Sequence, residues 1–300
     1  MRLAGAVVPD TSRRWQLDVS FALIQQIRLV HAVAESACEI AVPVAELDKF
    51  SILRDRFGLR LAAAQPDDPS LAPFVRIDHE TPSTALGGLE RTLIFPRAIV
   101  EHCRTLWPAT RAHRYSFAGL LTDSRRALLE AWIGRADTPP ALEPKSSIGG
   151  FMRRQLIRWR GADRQRRIGD VTVWSSERGR RFPTKAWDED YYRMLADSES
   201  VLCPTGDYVW SYRFFEACLC GAMPIVEQAS PLYDGFRYRL MTDPRDDEPW
   251  SSADAEHNYR VCAERLVVPR DALDRELARL AALPRPAVSA VPARSAPQPS

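Results

Sequence analysis

The stretch SVLCPTGDYVWSYRFFEACLCGAMPIVE, residues 200–227, decides the fold. It begins with a short apolar run, continues through Pro-Thr-Gly at 204–206, and enters a longer apolar segment near Ser211 before AMPIVE. This order predicts a strand, a tight turn, a helix and a second strand. An apolar strand without alternation is typical of a parallel sheet covered on both faces. The stretch therefore predicts one unit of an α/β protein.

The same alternation of strand and helix extends to both sides of this unit. HRYSFAGLL, from His113, predicts a strand, and the segment 122–134 predicts a helix that Thr122 or Asp123 caps. DVTVWSS and KAWDEDYYRMLADS predict the next strand and helix. Four such alternations indicate a doubly wound parallel sheet, in which ligands bind at the carboxyl ends of the strands.

The chain divides into three predicted parts. Residues 1–110 form an N-terminal half that begins with the strand candidate LAGAVV and a helix over roughly 17–38. Residues 111–283 form the C-terminal half with the repeated alternation. Residues 284–300 are rich in proline and low in complexity, which predicts a disordered tail.

Composition narrows the classes of function. The chain has 300 residues, 45% of them hydrophobic, and a net charge of +2, which is too small to indicate a nucleic-acid binder. Six cysteines lack the spacing of metal ligands and are expected to be reduced, buried thiols. No run approaches the ~20 apolar residues of a membrane span. We expect a cytoplasmic protein, with peripheral contact to a membrane left open.

The turn at 204–216 carries an unusual charge. Arg213 falls in the first turn of the predicted helix, where a cation opposes the helix dipole by a few tenths to about 1 kcal/mol. A bound anion would reverse that sign, because the first N–H groups of a helix lack internal partners. A phosphate over Ser211 and Arg213, with a ribose on Glu216, would describe a nucleoside diphosphate. The alternative is a surface ion pair between Arg213 and Glu216, which stabilises little.

Three blocks of the sequence carry a family resemblance. LCPTGDYVWSYRFFEACLCGAMPIV resembles the signature of the exostosin-type glycosyltransferases. HRYSFAGLLTDSRRALLEAW and DYYRMLADSESVLCP are similar to two other segments of that family, in the same order, so that the likeness covers roughly residues 112–240. It implies a GT-B-like α/β fold, with two Rossmann-like halves facing a cleft. The N-terminal half is short for such a fold.

The resemblance also implies site residues. The donor nucleotide sugar would occupy the C-terminal half and the acceptor the N-terminal half. Ser211, Arg213 and Glu216 correspond to contacts with the diphosphate and ribose. Arg125 or Arg126 would add a cation for the diphosphate, and Tyr208 is a candidate for stacking on the base.

The remaining chemistry concerns metal, stereochemistry and the base. Asp-Glu-Asp at 188–190 opens a predicted helix, where acids favour the dipole, so we expect no metal and no cofactor besides a UDP- or GDP-sugar donor. Many retaining GT-B enzymes carry a second glutamate eight positions on, where this chain has Pro224, which favours inversion. The base candidates are Asp10, Asp78 and His79, the last two beside Glu80.

The arginine-rich run RRQLIRWRGADRQRR at 153–167 has three possible functions. It is consistent with a solvated loop, with a surface for an acidic acceptor or anionic lipid, or with a nucleic-acid-binding module. We expect nucleic acid to be the least favoured partner. Two further alternatives are a nucleotide-binding protein without catalysis and a fucosyltransferase-type enzyme that uses GDP-fucose.

Overall fold

The computed structural model describes residues 14–19, 21–134, 165–175, 181–206, 208–245 and 249–283. The helices are α1 Ile24–Val33, α2 Ser51–Phe57, α3 Arg97–Thr105, α4 Asp123–Ile133, α5 Glu189–Ala196, α6 Tyr212–Leu219, α7 Ser252–Leu266 and α8 Arg270–Ala281. The strands are β1 Arg14–Gln16, β2 Glu39–Val42, β3 Ala62–Ala63, β4 Val75–Asp78, β5 Ser83–Leu86, β6 Leu89–Arg91, β7 His113–Gly119, β8 Gln165–Ile168, β9 Val171–Ser175, β10 Ser198–Cys203, β11 Met223–Val226 and β12 Arg239–Leu240. The predicted first strand, Asp10, most of the run 153–167 and the tail 284–300 lie outside the described residues.

A six-stranded sheet forms the C-terminal half. Its order is β12-β11-β10-β7-β9-β8, with parallel neighbours from β12 to β9 and an antiparallel β8 at one edge. The chain moves from β7 to β9 on one side and then crosses to β10 on the other side of β7. The sheet is therefore doubly wound, with its topological switch point between β7 and β10.

A smaller parallel sheet, β1-β2-β3, forms the N-terminal half together with the antiparallel unit β4-β5-β6. Its strands have two to four residues. The predicted α/β class with parallel sheets in two Rossmann-like halves is confirmed.

The larger hydrophobic cluster continues from one half into the other. It joins Ile27 and Val30 of α1 to Phe214 and Phe215 of α6, all of them at most 1% exposed. Helix α1 covers Ile24–Val33, which is shorter than the predicted helix over 17–38. The apolar residues of α1 therefore pack in the same core as those of α6 in the C-terminal half.

Local signals explain two helix starts. The Thr122 hydroxyl accepts the N–H of Arg125 at 3.3 Å, so that Thr122 is the cap of α4. Asp188 caps α5 by accepting the N–H of Tyr191 at 3.4 Å, and acids open that helix as predicted. Within the described ranges, none of the helices combines the length and apolar character that a bilayer crossing requires.

Candidate functional site

The candidate site lies at the switch point of the six-stranded sheet. Strand β7 ends at Gly119 and β10 ends at Cys203, and the two strands are neighbours. The turn at 204–206 and the N-terminus of α6 follow directly from β10. Parallel α/β sheets bind ligands at this kind of place, because the loops after the two strands diverge there.

Arg213 reaches from α6 back to the end of β7. Its Nε–H donates to the carbonyl of Ala118, and its guanidinium carbon lies 4.5 Å from the centre of the Phe117 ring. The next residue, Gly119, has φ +144°, and a Cβ there would be 2.3 Å from Nη2 of Arg213. Only a glycine leaves room for the guanidinium. Arg213 is 9% exposed, and its Nη1 has no hydrogen-bond partner among the described residues.

Ser211 is the N-cap residue of α6 without acting as a side-chain cap. Serine is favoured at this position because its hydroxyl usually accepts an N–H of the first turn. Here no such bond forms, and the buried Oγ is unpaired within the part of the chain that the structure describes. The hydroxyl of Ser211 and the Nη1 of Arg213 are therefore two unsatisfied polar groups in the first turn of one helix.

Arg125 brings a second cation to the same edge of the sheet. Its Nη1 donates to the carbonyl of Leu120 at 3.0 Å, just beyond β7. Its Nη2 would lie 3.2 Å from a Cβ on Gly206, so the guanidinium also borders the turn after β10. Arg126 lies beside it, half-buried on α4. The structure thus gathers Arg125, Ser211 and Arg213 around the ends of β7 and β10.

Glu216 lies in the interior of the protein. It is 2% exposed, and its Oε1 receives hydrogen bonds from Arg28 at 2.5 Å and from the Tyr192 hydroxyl at 2.9 Å. Its Oε2 receives the Tyr191 hydroxyl at 2.6 Å. The alternative of a surface pair between Arg213 and Glu216 is wrong, because the N-terminal half covers this face of α6 and Arg28 pairs with Glu216. The role of Glu216 as a ribose contact stays a prediction.

An open cleft of about 610 Å³ adjoins the switch point. Its walls come from the hairpin between β4 and β5, the turn after β10 and the segment after β11, namely Glu80, Thr81, Pro82, Thr205, Gly206, Tyr208, Val209, Trp210, Gln228, Ser230, Pro231 and Leu232. Glu227 accepts the N–H of Thr205 at 2.7 Å and also its hydroxyl, which holds the turn in place. The cleft therefore has one wall from each half of the protein.

Aromatic residues connect the two walls. Tyr208 is 41% exposed and stacks against Trp210, with ring centres 6.2 Å apart and an angle of 16°. The indole N–H of Trp210 donates to the carbonyl of His79 at 3.1 Å. Tyr208 thus presents an open ring at the cleft, where stacking on a base remains a prediction.

Two of the candidate bases, Asp78 and His79, fall on the same hairpin. Asp78 is exposed at the end of β4, and its carboxylate accepts the N–H groups of Glu80 and Thr81 at 2.9 and 3.1 Å. His79 meets the other half through its carbonyl, whereas Glu80 lines the cleft. The structure brings this hairpin to the cleft and leaves the choice of base as a prediction. No group of three or more metal-binding side chains occurs within the described ranges.

A separate basic hollow of about 390 Å³ lies at the opposite edge of the sheet. It includes His113 and Arg114 at the start of β7, together with Arg166 and Arg167 of β8. Arg166 and Arg167 are the last arginines of the run 153–167 and are exposed. In the sheet, Arg166 lies opposite Val173 and Arg167 opposite Thr172 of β9.

Three residues of the site region were missed in the sequence. Gly119 ends the FAG segment and Trp210 lies within the quoted stretch, so both had a local signal. Arg28 had none, because its partner Glu216 is 188 positions away in the chain.

The fold defines the class of protein: an α/β protein with two Rossmann-like halves and its cleft at the carboxyl ends of parallel strands. Within that class, residues 165–234 match the family described as RXYLT1 C-terminal domain, an exostosin-like xylosyltransferase family. The match confirms the predicted exostosin-like resemblance from β8 to the segment after β11 and supports glycosyltransferase activity in general terms.

Comparisons with whole proteins find only distant likenesses. A comparison with curated proteins finds no match. A chain of the GtfA/B complex is 14% identical with a TM-score of 0.31, over 81% of this chain and 45% of that one. Anabaena Alr3699/HepE, in complex with UDP and glucose, is 12% identical with a TM-score of 0.32, over 91% and 72%. Sucrose-phosphate synthase from Thermosynechococcus elongatus is 13% identical with a TM-score of 0.31, over 85% and 60%.

Proposed function

We propose that this protein transfers a sugar from a nucleoside-diphosphate sugar to a hydroxyl group of a carbohydrate or small-molecule acceptor, without a metal and with inversion at the anomeric carbon. The observation that carries the proposal is the pair of unsatisfied groups at the start of α6, Ser211 Oγ and Arg213 Nη1. The family match over residues 165–234 supports the same reaction class.

The N-terminus of α6 suits a diphosphate. The first N–H groups of the helix and its dipole favour an anion, and Arg213 adds a positive charge held in place by Ala118 and Phe117. Arg125 supplies a second cation across the turn at 204–206. In glycosyl transfer the departing diphosphate gains negative charge, so fixed cations and N–H groups stabilise the transition state more than the ground state.

The cleft then provides room for the acceptor. Its N-terminal wall carries Glu80, next to Asp78 and His79, and a carboxylate or imidazole there would accept the proton of the attacking hydroxyl. Attack from this wall, opposite the departing diphosphate, leads to inversion. Among residues 78–80, Glu80 lines the cleft, whereas Asp78 and His79 adjoin it.

The test begins with nucleotide binding. Wild-type protein should bind UDP or GDP by calorimetry, and R213M should weaken binding by on the order of tenfold or more, because a hydrogen bond to a charged group contributes about 1.5–3 kcal/mol. S211A should weaken it less, and R213K should retain part of the affinity. R260M on α7, where Arg260 is exposed, is the matched control and should bind as the wild type does.

Turnover separates the proposal from its alternatives. A panel of UDP- and GDP-sugars, including GDP-fucose, should give transfer or slow donor hydrolysis that EDTA leaves unchanged, with an inverted anomeric centre by NMR. Binding without turnover on any donor would favour an inactive nucleotide-binding protein. A salt-sensitive gel shift with RNA, together with no nucleotide binding, would favour the nucleic-acid-binding alternative.

A further inference from the structure

The ion pair between Arg28 and Glu216 joins the two halves beside the candidate anion site. Arg28 lies on α1 and Glu216 on α6, and each is 2% exposed. The Nη2 of Arg28 lies 2.5 Å from Oε1 of Glu216 and also donates to the Tyr192 hydroxyl at 2.7 Å. With Tyr191 on Oε2, the Glu216 carboxylate is paired on both oxygens.

Glu216 is close enough to affect an anion at the start of α6. It follows Arg213 by three residues, so the two side chains leave the helix on the same face one turn apart. The charges of Arg213 and Glu216 both affect the pKa of the Cys203 thiol at the end of β10. Burial raises the pKa of Cys203 to about 12, while Arg213 lowers it and Glu216 raises it. An anion bound by Ser211 and Arg213 would experience the charge of Glu216 in the same way.

A buried carboxylate beneath an anion site would by itself oppose binding, because like charges repel strongly in a low dielectric. Arg28 cancels that charge. The titratable groups with a contact or an electrostatic interaction with Glu216 or Arg28 come from four elements: His31 of α1, Tyr191 and Tyr192 of α5, Cys203 of β10, and Tyr212 and Cys220 of or next to α6.

Two aromatic rings hold the guanidinium of Arg28 beside the Glu216 carboxylate. Its central carbon lies 3.9 Å from the centre of the Phe95 ring and 5.7 Å from that of Tyr212. Burial alone would lower the pKa of Arg28, but the Tyr192 hydroxyl and the Glu216 carboxylate raise it above its ordinary value. Arg28 therefore carries its positive charge at neutral pH.

We propose that Arg28 is a positioning residue for donor binding, which neutralises Glu216 beneath the anion site and anchors α6 to the N-terminal half. This inference rests on the proposed function. Glu216 then serves as the internal anchor of α6, and its carboxylate is dispensable for the donor once Arg28 is also removed.

The experiment is a double-mutant cycle in the full chain, with UDP and GDP as probes. Affinity is measured by calorimetry and stability by thermal unfolding for R28M, R28K, E216Q and R28M/E216Q. R28M should weaken nucleotide binding by on the order of tenfold, since a neighbouring like charge shifts ionic equilibria by about that much or more. R28K should weaken it less. R28M/E216Q should return to within about threefold of wild type, because charge and partner leave together.

The control is another buried arginine, which pairs with a half-buried aspartate. Arg245 is 6% exposed and pairs with Asp170 at the amino-terminal edge of the sheet. R245M should lower stability and leave nucleotide affinity unchanged, which separates a charge effect at the site from a general loss of stability. If R28M does not fold, R28K and the double variant still decide the question.

Two results would overturn the inference. One is an R28M protein with wild-type nucleotide affinity. The other is a folded R28M/E216Q protein that binds no better than R28M, which would make Glu216 a direct ligand of the donor. A wild-type chain that binds neither UDP nor GDP would overturn the proposed function itself, whereas normal wild-type binding with either of the two results removes only the role of Arg28.

Discussion

The missing side chain of Gly119 is as important for the candidate site as the charge of Arg213. The guanidinium occupies the space above the glycine, donates to Ala118 and lies against Phe117. With φ at +144°, the backbone of Gly119 also has a conformation that other residues rarely adopt. A single residue thus sets both the end of β7 and the direction of the cation.

The dependence of the Arg213 position on Gly119 can be tested with the variant G119A. The new Cβ would displace Arg213 and strain the backbone, so we expect a loss of about 1–3 kcal/mol in stability and a loss of UDP or GDP affinity similar to that of R213M. Denaturant unfolding and calorimetry measure the two effects. G58A is the matched control, because Gly58 has φ +64° and nothing within 4 Å of an added Cβ. It should lose stability alone, and nucleotide binding by G119A equal to wild type would contradict the relation.

At the scale of elements, α1 is buried on more than its apolar face. Gln25, Arg28 and His31 follow one another at intervals of three residues, and each is at most 3% exposed. Arg28 of this row contacts the C-terminal half, His31 packs against Phe57 of α2 with ring centres 5.5 Å apart, and Ile27 and Val30 enter the core. A helix buried on both faces holds its polar groups away from water, which makes their protonation states part of the stability of the fold.

His31 should make stability depend on pH. Burial, together with the nearby Arg28, lowers the pKa of His31 to about 3 from an ordinary value near 6.5. Below pH 6.5 His31 binds a proton in the unfolded chain but not in the folded chain. The free energy of unfolding therefore decreases as the pH falls toward 3. The loss should approach about 1.4 kcal/mol per pH unit from this residue. Unfolding curves between pH 7 and 4 should be less pH-dependent for H31L than for wild type, and equal slopes would contradict the assignment.

At the scale of the whole molecule, helix α8 near the C-terminal end of the chain packs on the N-terminal half. Helix α8 follows the C-terminal sheet in sequence, yet Glu276 accepts the N–H of Gly88 at 2.7 Å and Asp274 accepts the N–H of Ala37 at 2.7 Å. With the core that runs from α1 to α6, these contacts tie the two halves together. We expect both halves to unfold in one transition.

The six cysteines provide a test of that burial. Cys38 is half-buried, whereas the other five thiols are buried, and burial raises the pKa of Cys218 and Cys220 above the ordinary value. The native protein should therefore react rapidly with a disulfide reagent at one thiol and, after unfolding in guanidinium, at six. C38S should remove the rapid phase. Several rapid thiols in the native wild type would show that the core is more open than described.

Local sequence predicted a large part of the C-terminal half. The strands β7, β9, β10 and β11 and the helices between them occur where apolar runs and capping residues indicate them. The misplaced charge of Arg213 pointed to the start of α6, where the structure shows unpaired polar groups. These features depend on neighbouring residues, and hydrogen bonds, caps and helix dipoles act over a few residues.

The sequence by itself therefore determined the α/β alternation, the strand–turn–helix at 200–219 and the chemical character of its first turn. Only the tertiary structure decided where Glu216 points and which half supplies its partner. Arg28 and Glu216 are 188 residues apart. A charge pair across that separation forms only when packing has placed α1 on α6, and no local pattern of residues encodes that placement.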